Sequence, residues 1–160
     1  MPSATVRFVD GMQFVATSGS GHAVVMDTTE DVGGHDTGPR PTELVLIALG
    51  GCTGMDVVSI LRKMQVHFTR FEMEIQGERA PEHPKHFTNI QIVYKVWGDV
   101  PEEKLKRAIE LSLEKYCSVS NSLKPKAQVS YQYQINPNSP SPPNPSPLGG
   151  RGERKGEGEI

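Results

Sequence analysis

The sequence predicts an α+β domain, and two observations carry that expectation. Strand-like and helix-like segments come in blocks rather than strict alternation: three short strands, a long helix, two strands, a helix and a strand. The apolar residues, 36% of the 160-residue chain, thin out abruptly after residue 135. The expected organisation is one domain over 1–135 and a tail over 136–160.

Segments 4–9, 12–17 and 22–27 carry Val, Phe and Met in short strand-length runs. Asp10-Gly11 separates the first two and is a hairpin signal. Ser18-Gly19-Ser20-Gly21 separates the second and third. A Gly-, Asp-, Thr- and Pro-rich loop occupies 28–40. Pro41 opens a helix over 41–64, since its fixed φ suits the first turn. Leu44-Val45-Leu46-Ile47-Ala48-Leu49 is apolar on every side and predicts a helix buried all round. Gly50-Gly51 should interrupt it, at about 1 kcal/mol per glycine. Paired glycines there leave room for another backbone or a ligand.

Segments 67–78 and 87–97 alternate as a strand pair, with Phe71, Met73 and Ile75 on one face and Ile90, Ile92, Tyr94 and Val96 on another. Pro101 opens a second helix with Glu102 and Glu103 at its positive end. Leu105, Ala108, Ile109, Leu113 and Tyr116 form its buried stripe. Ser118 to Ser122 reads as a helix restart, and 128–135 as a closing strand. A helix apolar on all sides needs more cover than one small sheet supplies, so a homodimer is expected.

The tail holds six prolines over 137–147 and only Gly, Arg, Lys and Glu over 149–159, a composition expected to be disordered. A proline-rich docking ligand is the alternative, but no aromatic or strong basic anchor accompanies the prolines. Lys and Arg number 17 against 19 Asp and Glu, a formal charge of −2. That gives no electrostatic reason to expect nucleic acid or an anionic membrane as partner. No apolar run approaches the roughly 18–20 residues of a spanning helix. Residues 1–7 show no secretory signal, so a cytoplasmic location is expected.

In a reducing compartment a cysteine pair is more often catalytic, redox-sensing or metal-binding than a structural staple. The chain has two, Cys52 and Cys117. Cys52 follows the paired glycines, and Cys117 lies at the junction between a helix end and a Ser-rich restart. At a new helix N-terminus the dipole and free N–H groups would lower the Cys117 pKa, with Ser118 and Ser120 supplying cap-type side chains. A thiolate that attacks a peroxide becomes a sulfenic acid, and a second thiol condenses with it to a disulfide. No cofactor and no metal are needed. His83-x-x-His86 sits in a Pro-rich hairpin loop without a C-x-x-C partner and reads as exposed loop rather than a metal site.

The run Gly38-Pro39-Arg40-Pro41-Thr42-Glu43-Leu44-Val45-Leu46-Ile47-Ala48-Leu49-Gly50-Gly51-Cys52, continuing Thr53-Gly54-Met55-Asp56-Val57-Val58, resembles the cysteine helix of the OsmC/Ohr family, the osmotically induced and organic-hydroperoxide-resistance proteins. Cys117, after a helix and before a final strand, is similar to the family's second cysteine. The resemblance covers 1–135. It implies an intertwined α+β homodimer with a buried central cysteine helix and an antiparallel sheet. It further implies that Cys52 is peroxidatic toward a small organic hydroperoxide, that Cys117 resolves it, and that an external dithiol reductant restores both.

The sequence also departs from the family. Peroxidase members place a glutamate, paired with an arginine, ten residues before the first cysteine. Here Thr42 stands there, and Glu43 lies about 13.5 Å along the helix from Cys52 on the opposite face. Glu43 is therefore assigned to structure or to a partner subunit's site. Asp56, at i+4 from Cys52, is the nearer carboxylate. An unpaired Asp56 would raise the cysteine pKa, so an arginine is expected beside it, Arg40 or Arg7. The pattern is closer to the less characterised OsmC-like branch. Three readings stay open: a cysteine peroxidase in oxidative-stress defence, a non-enzymatic dimeric binding or redox-sensing protein with an apolar interface pocket, and a structural domain with two buried cysteines.

Overall fold

Gly11, at φ +53°, turns β1 (Ala4–Asp10) back onto β2 (Gln13–Ser18). Phe8 pairs with Phe14 across this hairpin, their ring centroids 5.5 Å apart edge to face. The third strand, β3 (Ala23–Met26), adds antiparallel to β2 and completes a three-stranded sheet. The computed structural model describes residues 1–138. The expected disorder over 139–160 lies outside the described residues. Within them Asn136 is bound to the fold: its N–H donates to Val96 O at 2.8 Å, and its side chain exchanges two hydrogen bonds with the backbone of Gly98.

The loop after β3 is organised by one buried carboxylate. Asp27 accepts hydrogen bonds from the Thr28, His35 and Thr37 amides and from Thr37 Oγ1, at 2.6–3.2 Å. Its own amide donates to Pro39 O, which fixes the entry of the chain into the long helix.

That helix, α1 (Pro41–Lys63), is continuous across Gly50-Gly51 rather than interrupted there. Packing offsets the glycine cost. A Cβ at Gly50 would lie 2.8 Å from Ile75 Cδ1, and one at Gly54 would lie 2.5 Å from Met73 Cε. The glycines are what lets α1 sit down on β4 (His67–Arg79). The helix is not buried all round within one chain. Leu49, Val57 and Leu61 are fully buried, whereas Ile47 is 60% and Met55 76% exposed. By length and composition α1 is apolar enough to span a membrane, contrary to the sequence expectation, because Gly and Thr between the aliphatic residues count as nearly neutral. Its buried face and its contacts with β4 and the following helices make it the core helix of this domain.

β5 (Phe87–Asp99) pairs antiparallel with β4 and buries Ile90, Ile92, Tyr94 and Val96 on one face, as their spacing predicts. α2 (Glu102–Leu111) presents Leu105, Ala108 and Ile109 to the core. A wide π-type turn, Ser112–Tyr116, and the short α3 (Ser118–Leu123) lead to β6 (Gln128–Ile135). β6 lies parallel to β5, so the second sheet, ordered β4-β5-β6, is mixed rather than antiparallel throughout. The helical crossover through α2 and α3 is the kind of connection a parallel pair requires.

Leu61→Ala should cost about 2–5 kcal/mol, read by urea unfolding, because Leu61 is wholly enclosed between α1 and its neighbours. Hydrogen bonds, led by that from Thr37 Oγ1, lower the Asp27 carboxyl from an ordinary 3.8 to about 2. A depressed folded pKa means stabilisation that is complete above the unfolded value and lost as pH falls. Asp27→Asn should therefore lower stability at neutral pH and flatten the acid-induced loss between about pH 4 and pH 2, measured by thermal unfolding across pH.

Candidate redox site

Cys52 lies in the middle of α1 and Asp56 one turn further on, so both side chains leave the same face of the helix. The third member arrives from the far end of the domain. The π-type turn after α2 closes with Cys117 N–H donating to Ser112 O at 2.8 Å, and Cys117 is the N-cap of α3. Its Sγ accepts the Ser120 amide at 3.3 Å. The two sulfurs and a carboxylate oxygen of Asp56 all lie within 4.8 Å of one another. From there, closure to an S–S bond of about 2.05 Å needs the sulfurs to approach by less than 3 Å.

The thiols are in unequal surroundings. Cys52 is half-buried and Cys117 fully buried. Burial is the main cause that pushes the Cys117 thiol up to about 11, with the Ser120 amide opposing it and Cys52 and Asp56 adding to it. The helix-start effect expected from the sequence is present as the Ser120 bond, but desolvation outweighs it.

Among the described residues Asp56 is held by a serine, and no arginine pairs with it. Ser112 Oγ donates to Asp56 Oδ2 at 3.0 Å. Ser112 Oγ is 2.9 Å from Thr53 Oγ1, which is 2.6 Å from the Tyr94 hydroxyl. A carboxylate only accepts and each hydroxyl has one proton. The order is therefore forced: Tyr94 donates to Thr53, Thr53 to Ser112 and Ser112 to Asp56. Burial holds the Tyr94 phenol well above its ordinary pKa, so it remains a donor.

Glu43 and Arg40 are not brought to the cysteines within the chain. Glu43 Oε2 accepts the Arg40 amide at 2.9 Å and closes the start of α1, while the Arg40 guanidinium pairs with Asp36 at 2.8 Å. Arg7, on the exposed strand β1, has no ion pair with Asp56. His83 and His86 are exposed on the β4–β5 loop, and the His86 ring contacts Pro84 O. Cys52, Asp56 and Cys117 are three donors, one short of the closed four-coordinate shell of structural zinc.

Thr53, Ser112 and Tyr94 are the site residues that sequence reasoning missed. Ser112 was visible in principle: it falls on the helical period of Leu105, Ala108 and Ile109, and a serine in a buried stripe needs a partner. A cavity of about 340 Å³ opens beside the carboxylate, lined by Asp56, Ser59, Ile60, Lys63, Met64, Leu111 and Tyr116. A larger one, about 430 Å³, lies across β4, β5 and β6 among Gln76, Glu78, Gln91 and Ser130 and includes neither cysteine.

Two buried serines should respond oppositely to truncation. Ser112→Ala should cost about 1–3 kcal/mol by urea unfolding, because it strands Thr53 and Asp56. Ser120→Ala should be neutral or stabilising, because Ser120 Oγ is buried without a partner among the described residues and alanine is the better helix former.

The fold has known counterparts. The family described as OsmC-like protein matches residues 34–132. The protein YhfA of Escherichia coli K12 is 39% identical over 129 residues, covering 80% of this chain and 93% of YhfA. A crystal structure of a hypothetical protein from Aquifex aeolicus VF5 superposes with a TM-score of 0.72 at 29% identity, covering 86% of this chain and 98% of that one. The organic hydroperoxide resistance protein OhrB of Bacillus subtilis shares the fold, with a TM-score of 0.61 at 17% identity over 84% of this chain and 98% of its own. The cysteine helix, the second cysteine and the two-sheet α+β architecture thus occur together in a chain that belongs to the OsmC-like family.

Proposed function

We propose that this protein is a two-cysteine thiol peroxidase that reduces an organic hydroperoxide, with Cys52 peroxidatic and Cys117 resolving. The observation that carries this reading is the approach of both sulfurs and one carboxylate oxygen to within 4.8 Å. Cys52 is the accessible thiol and meets the peroxide. Its sulfur attacks the terminal peroxide oxygen, the O–O bond breaks, and the products are Cys52 sulfenic acid and an alcohol. Cys117 then displaces the hydroxyl as water, and the disulfide that forms is reduced by an external dithiol. The apolar side of the neighbouring cavity, Ile60, Met64, Leu111 and Tyr116, suits a small organic substituent. Family membership supports this chemistry, since fold relatives include proteins named for organic hydroperoxide resistance. A dithiol-supplying compartment such as the cytoplasm fits the cycle.

The working unit in this proposal is a homodimer. Val6 and Phe8 of the first sheet are 55% and 61% exposed, and Ile47, Gly51 and Met55 form an open stripe along α1. An apolar strand face and an apolar helix stripe on one chain are the surfaces a second copy would cover.

A second reading, a dimeric redox sensor or binding protein, is favoured by Thr42 at the place of the family glutamate and by Asp56 having no arginine partner among the described residues. Turnover separates the two. Titration with one equivalent of cumene hydroperoxide should consume both thiols and leave a chain lighter by two hydrogens on intact-mass analysis. With a lipoyl dithiol or dithiothreitol, turnover should exceed that of Cys52→Ser. Persistent thiols after titration rule the peroxidase out; a disulfide without turnover leaves the sensor. In analytical ultracentrifugation the wild type should sediment as a dimer, and Met55→Glu combined with Ile47→Glu should shift it toward monomer.

A further inference from the structure

The resolving step poses a proton problem that the fold answers. Cys117 is sealed from solvent, and burial pushes its thiol up to about 11, which favours the protonated form at neutral pH. Cys117 must nevertheless lose its proton as it attacks Cys52 sulfenic acid, and the departing hydroxide must gain one. Among the described residues, one carboxylate lies within 4.8 Å of both sulfurs.

We infer that Asp56 is a catalytic residue of the resolving step, carrying the Cys117 proton to the leaving hydroxide, with Ser112, Thr53 and Tyr94 as positioning residues. The inference rests on the two-cysteine reading above. In this step the Cys52–O bond breaks and the Cys52–Cys117 bond forms. The Cys117 sulfur is oxidised, the Cys52 sulfur is reduced, and the proton leaves with the hydroxide as water. No further oxidant or reductant enters.

The hydroxyl chain gives Asp56 its place. All its protons point toward the carboxylate, so Asp56 is held on the cysteine side of α1. Ser112 is five residues from Cys117 and bonds its amide through the backbone. The turn that carries the resolving thiol thus also carries the donor that aims its base. The titratable and charged groups around this pair are Cys52 and Lys63 on α1, Tyr94 on β5, and Tyr116 after α2. Among these, Asp56 is the one carboxylate, and it already accepts from Ser112.

Asp56→Asn is the informative substitution. The amide keeps the shape and can still accept from Ser112, but it cannot take a proton. Reduced protein is mixed with one equivalent of cumene hydroperoxide, and Cys52 sulfenic acid is followed by dimedone trapping and intact mass as it converts to disulfide. In the wild type the conversion rate should vary by less than about threefold from pH 6 to pH 9. In Asp56→Asn the sulfenic acid should form without delay, and its conversion at pH 7 should be slower by about tenfold or more. That slowed rate should rise about tenfold per pH unit, since it then waits for free thiolate. Ser112→Ala and Thr53→Val should slow conversion severalfold and keep the flat profile, because the acceptor is still present.

An Asp56→Asn protein with wild-type rate and flat profile overturns the assignment. So does a wild-type rate that itself climbs about tenfold per pH unit, a result that decides the matter even where the variant does not fold. Sulfenic acid that forms and resolves normally in Asp56→Asn removes Asp56 alone. A wild type that forms no sulfenic acid removes the peroxidase reading and this step with it.

Discussion

Thr53 Oγ1 lies 2.6 Å from the Tyr94 hydroxyl and 2.9 Å from Ser112 Oγ, and all three residues are fully buried. Three parts of the chain meet at that one hydroxyl: the middle of α1, the centre of β5 and the turn after α2. Each of the three hydroxyls would be costly to bury alone. Together they satisfy one another and pass the last donor to Asp56. The register of α1 against the rest of the domain follows from this. A shift by one residue would bring Cys52 or Gly54 opposite Tyr94 and leave its phenol without a partner. The separation of the two sulfurs is set by the same lock, since Cys52 adjoins Thr53 and Cys117 closes the turn that begins at Ser112.

The site is asymmetric for an equally simple reason. Cys117 occupies a helix start, where backbone N–H groups favour a thiolate, but it occupies it inside the core. Loss of water costs an anion more than one amide hydrogen bond returns. Cys52 stays partly open on α1. Burial thus divides two chemically identical residues into one partly open to solvent and one enclosed behind it.

The glycines of α1 have separate tasks. Gly50 and Gly54 face Ile75 and Met73 of β4 and bring the helix close to the sheet. Gly51 faces open space, in line with exposed Ile47 and Met55. One chain therefore covers only part of its own most apolar helix. The first sheet, whose strands pair with no others among the described residues, is left with Val6 and Phe8 in the open.

Local chemistry was legible in the sequence. Apolar alternation marked β4 and β5, an apolar stripe marked α2, short Val-, Phe- and Met-bearing runs between turn residues marked β1 to β3, Pro41 and Pro101 marked helix starts, and the family run around Cys52 marked the cysteine helix. All of this depends on neighbours a few residues apart. The parallel placement of β6, the continuity of α1 through its glycines, the serine beside Asp56, and the Cys117 pKa above rather than below its ordinary value depend on groups 19 to 65 residues apart. By itself the sequence determined an α+β fold and two candidate thiols. Only the tertiary structure decided that Thr53, Tyr94, Ser112 and Asp56 would form one directed chain beside them, because hydrogen-bond direction and desolvation are set by which groups are enclosed together.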